Sequence, residues 1–143
     1  MSQLHLKIVT PERQIFDDQV DMVTLTTSEG EIGILPHHTN LMAKLAPGEL
    51  RITHPSSGGK QSGKMEILAI GGGFLQMANN TLTIMTDLAV EEKEIDEKMV
   101  EEAKKRAEAA LTEKLSAEEY AETLAVLEKS LAQLRVKRRH RVR

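Results

Sequence analysis

The residues most suggestive of chemistry run from Gly58 to Lys64. Gly58, Gly63 and Lys64 fall where a phosphate-binding loop places them. That chemistry also needs a hydroxyl for magnesium at the next position and a helix N-terminus aimed at the phosphates. Met65 stands at that position, and Met65 to Ile70 is strand-like, so residues 55–63 read as a loop between two strands with no apolar side chain to anchor it. Gly71, Gly72 and Gly73 read as a bulge or a close strand crossing. His37 and His38 are adjacent, so on a strand they would face opposite ways. His5, His54 and His140 offer no ligand spacing, and no metal site is expected. No serine sits in a nucleophile-elbow sequence, and the carboxylates of 91–122 lie at i, i+4 from lysines, as on a solvated helix face. The chain offers no catalytic set and reads as a non-catalytic protein that binds other proteins.

The last nine residues are harder to assign to mere surface. Residues 135–143 hold 6 bases and no acid, whereas 91–134 hold 13 acids and 7 bases. Like charges at this density repel and stay unfolded unless an acidic partner binds them, so the basic end reads either as a solubilising tail or as a contact surface for acidic protein.

Two kinds of element must position these residues. Over the first ninety residues apolar side chains alternate: Leu4, Leu6 and Ile8; Val23 and Leu25; Ile32 and Ile34; Leu41, Ala43 and Leu45; Leu50 and Ile52; Leu82 and Ile84. Turn chemistry punctuates them: Glu29 and Gly30, Gly33, Pro47 and Gly48 in a type II turn, and Asn79 and Asn80 tolerating the positive φ of a hairpin. Many short strands at this spacing predict a sandwich. After Asp87 glycine and proline vanish and the period becomes helical. A first helix is expected to begin near Ile95 and Asp96, with Ile95, Met99, Ala103, Ala107, Ala110 and Leu111 facing inward. Ser116 and Glu119 form a capping box that opens a second helix, whose seam is Tyr120, Leu124, Leu127, Leu131 and Leu134. So short a connection predicts an antiparallel hairpin. The fold class is therefore α+β, an all-β domain over 1–88 followed by a helical hairpin over 89–143.

Composition removes other classes. No apolar run approaches the ~20 residues that cross a bilayer, and the start of the chain lacks the regions of a signal peptide, so membrane association is expected only through partners. The absence of cysteine excludes disulfides and fits a reducing compartment. Two Phe, one Tyr and no Trp leave little for bases or sugars to stack on, and nucleic acid is not an expected partner.

Four stretches together resemble the epsilon subunits of rotary F-type ATP synthases of bacteria and chloroplasts. They are Thr27 to His38, Pro47 to Ile52, the Gly71 to Leu75 strand, and Leu131 to Val136. The resemblance covers essentially the whole chain and implies a ten-stranded β-sandwich with a C-terminal hairpin. It also implies a central rotor-stalk component that couples proton translocation to ATP synthesis, its sandwich clamping the gamma subunit onto the c ring. Glu31 takes the position that faces the c ring and His38 the one that faces gamma. The hairpin of such subunits folds on the sandwich or extends along gamma, where its basic helix meets the catalytic alpha/beta hexamer and blocks ATP hydrolysis; Arg135, Lys137, Arg138 and Arg139 are the expected inhibitory contact. The resemblance implies a peripheral place on the cytoplasmic face of the cell membrane, or the stromal face of a thylakoid. Some relatives sense ATP at the start of the first helix, the rival role for this chain. Here Ile95 and Asp96 match that motif, but Met99 and Val100 replace its arginine and alanine, and Arg106 or Lys98 is a poor substitute. Weak or absent ATP binding, and no other cofactor, is the expectation.

Overall fold

The computed structural model describes residues 3–55 and 63–140, and the phosphate-loop-like residues 58–62 lie outside them. Ten strands come first: β1 (Leu4–Val9), β2 (Gln14–Val20), β3 (Met22–Thr27), β4 (Gly30–Ile34), β5 (Leu41–Leu45), β6 (Gly48–Thr53), β7 (Met65–Ile70), β8 (Gly73–Ala78), β9 (Thr81–Thr86) and β10 (Ala89–Glu91). A 3₁₀ turn at Glu92–Glu94 leads to α1 (Glu97–Leu111) and α2 (Ala117–Arg139). The strand order is β10-β7-β6-β3-β5-β8-β9-β1-β2, with β4 on β3. The pairings are antiparallel except β1 with β9. This is the expected sandwich followed by the expected hairpin.

Alternation decides the core. Leu4, Leu6 and Ile8 of β1, Leu50 and Ile52 of β6, and Leu82 and Ile84 of β9 are each fully buried and share one cluster. Strand β2 escapes the sequence pattern because it is an edge strand rich in Asp17, Asp18 and Gln19, with only Ile15 and Phe16 packed against the core before Val20. The sheet also runs on through β10 to Glu91, past the boundary expected at 88.

Turns follow the residue chemistry with two exceptions, Gly48 and Gly33, the latter lying inside β4 opposite Thr24 of β3 rather than in a turn. Asn79 and Asn80 take φ of 52° and 58°, as a tight hairpin between β8 and β9 requires. Gly73, at φ 144°, lies so close to β9 that a Cβ there would sit 2.0 Å from the Met85 carbonyl oxygen, which is the close crossing expected of the glycine run. Gly48 differs: it opens β6 without the left-handed φ that a type II turn demands. Its requirement is space, since a Cβ would meet Thr26 Oγ1 at 2.8 Å.

Strand β7 is buried on both faces. Leu68 and Ile70 join the sandwich core, while Ile67 and Ala69 pack outward with Ile95 and Val136. The hairpin covers that outer face, which is why Ile67 to Ile70 is an apolar run rather than an alternation. Helix α2 therefore has two neighbours, α1 on one side and β6 and β7 on the other. Its burial departs from the expected heptad seam. Ala132 and Val136 face the sheet, and Ser130 and Leu134, half a turn away, are buried on the opposite side. Tyr120 and Leu131 of the expected seam are exposed; at Leu131 the seam assumed one partner helix, whereas this end of α2 has a helix and a sheet. Met99 of α1 is likewise 66% exposed, and Val100 takes the inward place.

Candidate functional site

The hairpin is attached to the sandwich through the end of α2. Among the described residues the basic end is helical in this state: α2 continues to Arg139, and Lys137, Arg138 and Arg139 have acceptors within the chain. Lys137 Nζ donates to the Glu92 carbonyl at 3.2 Å. Arg138 bridges Glu97 at 3.3 Å and Glu101 at 2.7 Å on the first turns of α1, where acids already favour the helix N-terminus. Arg139 Nη1 lies 3.4 Å from Glu49 Oε2, and His140 Nε2 lies 2.7 Å from Glu49 Oε1. Arg135 is exposed and borders the cleft between α2 and the β3–β6 region, which Glu31, Glu49 and Arg139 also line.

Glu49 is the centre of this cluster. It projects from the outer face of β6, opposite the core residues Leu50 and Ile52, and only 8% of it is exposed. Arg51, two residues on and so on the same face, donates through Nη1 to Glu49 at 2.5 Å and through Nη2 to Glu31 at 3.0 Å. Burial pushes the Glu49 carboxyl up, but hydrogen bonds from Arg51 and His140 and the charge of Arg139 outweigh it and hold the group below the usual carboxylate range. Sequence reasoning named Glu31 and the cations but missed Glu49, Arg51 and His140. The signal was present in Glu49-Leu50-Arg51-Ile52: two opposite charges on one face of a strand whose other face is core. A charge pair on that face looks like ordinary surface until a helix covers it.

The remaining expected residues are dispersed. Glu31 stands on β4 with its side chain half exposed. His38 belongs to the β4–β5 connection, a turn and not a strand, in which His37 adopts φ 65° and donates its N–H to Asn80 Oδ1 at 2.7 Å. His38 Nδ1 approaches the Thr39 carbonyl oxygen at 2.7 Å. Ile95 is buried in the outer-face cluster, and Asp96 is the N-cap of α1, accepting from the Met99 N–H at 3.2 Å. Arg106 is exposed on α1, about 15 Å along the helix from Asp96. The structure thus joins Arg139 and Glu31 through Glu49 and Arg51, and leaves Ile95, Asp96 and Arg106 apart.

A second polar group occupies the junction where β10 leads into the hairpin. His54 Nε2 is 2.9 Å from Glu66 Oε1, and Lys93 Nζ is 3.8 Å from Glu91 Oε2. A hydrogen bond with Glu66, then burial, pushes the Glu91 carboxyl up to about 7. Among the described residues no group of three His, Cys, Asp or Glu side chains is placed to hold a metal ion, and no helix is long and apolar enough to cross a membrane.

Known proteins share this organisation. Residues 3–92 match the family described as ATP synthase, Delta/Epsilon chain, beta-sandwich domain, and residues 93–138 match the ATP synthase, Delta/Epsilon chain, long alpha-helix domain. An ATP synthase epsilon chain of Alkalilimnicola ehrlichii is 34% identical over 143 residues, covering 100% of this chain and 98% of the relative. One from Pediococcus pentosaceus is 43% identical over 111 residues, 77% of this chain and 75% of the relative. Among solved structures, a chain of the Euglena gracilis mitochondrial ATP synthase, OSCP/F1/c-ring in rotational state 1, superposes with a TM-score of 0.72 at 26% identity. That match covers 92% of this chain and 79% of the other. A chain of the Tetrahymena thermophila mitochondrial ATP synthase central stalk/c-ring gives a TM-score of 0.51 at 26% identity over 63% and 67% of the two chains.

Proposed function

The chain belongs to the ATP synthase delta/epsilon family, as an epsilon subunit of the central stalk, and from that membership we propose a division of labour between its two halves. The sandwich, residues 1–88 extended by β10, is the fixed coupling for torque between gamma and the c ring, with Glu31 toward the c ring and His38 toward gamma. The hairpin is a movable arm that restrains ATP hydrolysis when it leaves the sandwich and reaches the alpha/beta hexamer. The subunit is non-catalytic and peripheral, on the cytoplasmic side of the membrane complex or the stromal side in a plastid.

One observation carries this reading: Lys137, Arg138 and Arg139, the cations expected at the inhibitory contact, are here engaged with acceptors of the chain itself. Acceptors of the chain, the Glu92 carbonyl and the carboxylates of Glu97, Glu101 and Glu49, and acids of the hexamer would compete for the same side chains, so docking and inhibition exclude each other. Reversing the charge of Arg135, Lys137, Arg138 and Arg139 would relieve inhibition, and unchanged inhibition in the assembled complex would refute the assignment. Truncation after Glu94, which spares β10, is expected to preserve ATP-driven pumping and to raise hydrolysis. Loss of pumping would show that the halves do not have separate jobs.

We assign no nucleotide to the hairpin. The buried Ile95 and the helix-capping Asp96 have structural work that accounts for them, and Arg106 is a surface cation away from both. Titration calorimetry of the whole subunit with ATP is expected to register little heat, and tight binding lost in Asp96→Ala would restore the sensor reading.

A further inference from the structure

We propose that Arg51 couples Glu31 of β4 to the hold on the hairpin, so that what engages Glu31 changes how tightly the hairpin docks. The proposal rests on the reading of the hairpin as a movable arm and concerns how its release is controlled.

The geometry is a continuous chain of charge. Glu31 accepts from Arg51 Nη2 at 3.0 Å, and Arg51 Nη1 donates to Glu49 Oε2 at 2.5 Å. That same oxygen receives Arg139 at 3.4 Å, while the other oxygen of Glu49 receives His140 at 2.7 Å. Arg51 belongs to the sandwich, whereas Arg139 and His140 belong to the hairpin. Two guanidinium groups therefore compete for Glu49 Oε2, and Glu31 takes part of the charge of one of them. When Glu31 turns to an outside donor, the Arg51 charge falls on Glu49 alone and repels Arg139. The hairpin's grip then weakens without any change in its own residues.

Burial makes the effect directional. The side chains of Glu49 and His140 are 7% and 6% exposed, so their contact is shielded from water and salt while the hairpin is docked. Glu31 is half exposed and its pull on Arg51 is weaker and salt-sensitive. Glu49 is thus the latch, and Glu31 adjusts it through the two arms of one guanidinium. A lysine at 51, with a single ammonium, could not hold both carboxylates in this way.

The test reads the opening of the hairpin from the modification rate of one thiol. The chain has no cysteine. Ala132→Cys, at a fully buried site of α2 against the sheet, reacts only when the hairpin lifts. In the full chain carrying that thiol, Glu49→Gln is expected to raise the rate about tenfold. Glu31→Gln should raise it about twofold to threefold, less at high salt. In an Arg51→Met background, or with Arg51→Lys should Arg51→Met fold poorly, Glu31→Gln should have no further effect. Amide-exchange protection of β1 and β9 serves as the control for an intact sandwich. If Glu49→Gln opens the hairpin but Glu31→Gln does not, or acts equally without Arg51, the coupling is wrong and the movable arm stands. If the thiol stays unreactive in every variant, the movable arm fails and the coupling with it.

Discussion

Strand β7 is packed from both sides, and the two sides differ in kind. On the inner side Leu68 and Ile70 belong to a cluster of 16 buried residues, all of them leucine, isoleucine, valine or methionine and none more than 2% exposed. On the outer side Ile67 and Ala69 meet Ile95 and Val136, with Val90 and Val100 at the margin, and beside them the docking surface carries the ion pairs of Glu49 with Arg139 and His140. An interior of large branched side chains contributes burial that nothing in solution can replace. A small apolar patch ringed by ion pairs contributes less, and another set of acids could substitute for part of it. The inner side is built to persist and the outer side to be exchanged.

Adjacent residues of β7 give the sharpest way to break this distinction, and the largest effect. Leu68→Ala leaves a cavity in the sandwich and should cost about 3 kcal/mol of global stability, read as a drop in the denaturant midpoint. Ile67→Ala should cost about 1 kcal/mol or less of sandwich stability, because the sandwich keeps its core, while the Ala132→Cys thiol becomes several-fold more reactive. Equal losses of stability would mean that the hairpin and sandwich fold as one unit and would remove the basis for a movable arm.

The junction between the regions offers a pH-dependent test of intermediate size. An unfolded Glu91 ionises near 4.5, but in the folded chain the hydrogen bond with Glu66 and burial keep its proton to about 7. Between those values the folded state binds more protons than the unfolded one, so stability contributed here falls as pH rises from 4.5 through 7 and levels off above. Glu91→Gln, which can still donate to Glu66, should flatten that slope and stabilise the chain at pH 8 by on the order of 2 kcal/mol. A variant that keeps the slope would place the proton elsewhere. Glu66, the other member of the pair, is raised by burial, but hydrogen bonds from Glu91 and His54 outweigh this and lower it, so its contribution weakens only as pH falls below the ordinary carboxylate range.

The two regions were also unequally legible. Period-two alternation fixes which side of β1, β6 or β9 faces the core, because a strand buried on one face has only that choice. The capping box at Ser116 and the start of α1 near Asp96 could likewise be placed, since each depends on residues within four positions. What was not legible depends on contacts across the molecule. Leu131 fits a heptad that the sheet, as a second neighbour of the end of α2, displaces. Glu49 and His140 lie 91 residues apart, and neither has a local feature that points to the other. The charge of the basic end was legible, but the acids of its own chain that meet it in this state, Glu49, Glu97 and Glu101, are brought there by a packing that periodicity cannot select.

The smallest effect concerns the hairpin alone. Ser116 Oγ accepts from the Glu119 N–H at 3.1 Å, and Glu119 Oε1 accepts from the Ser116 N–H at 3.1 Å, so two N–H groups at the start of α2 are satisfied reciprocally. Hydrogen bonds from Ser116 hold the Glu119 carboxyl below its ordinary range. Ser116→Ala removes one bond and loosens the other, at a cost of about 1 kcal/mol to the helix. If the hairpin is separable from the sandwich, this cost should fray the start of α2, seen as faster amide exchange at Glu119 and Tyr120. The denaturant midpoint of the sandwich should not move, because the cap lies at the far end of α2 from the latch at Glu49. Should the midpoint fall by the full amount, the hairpin would be part of the cooperative core, and the contrast between the two faces of β7 would be one of composition only.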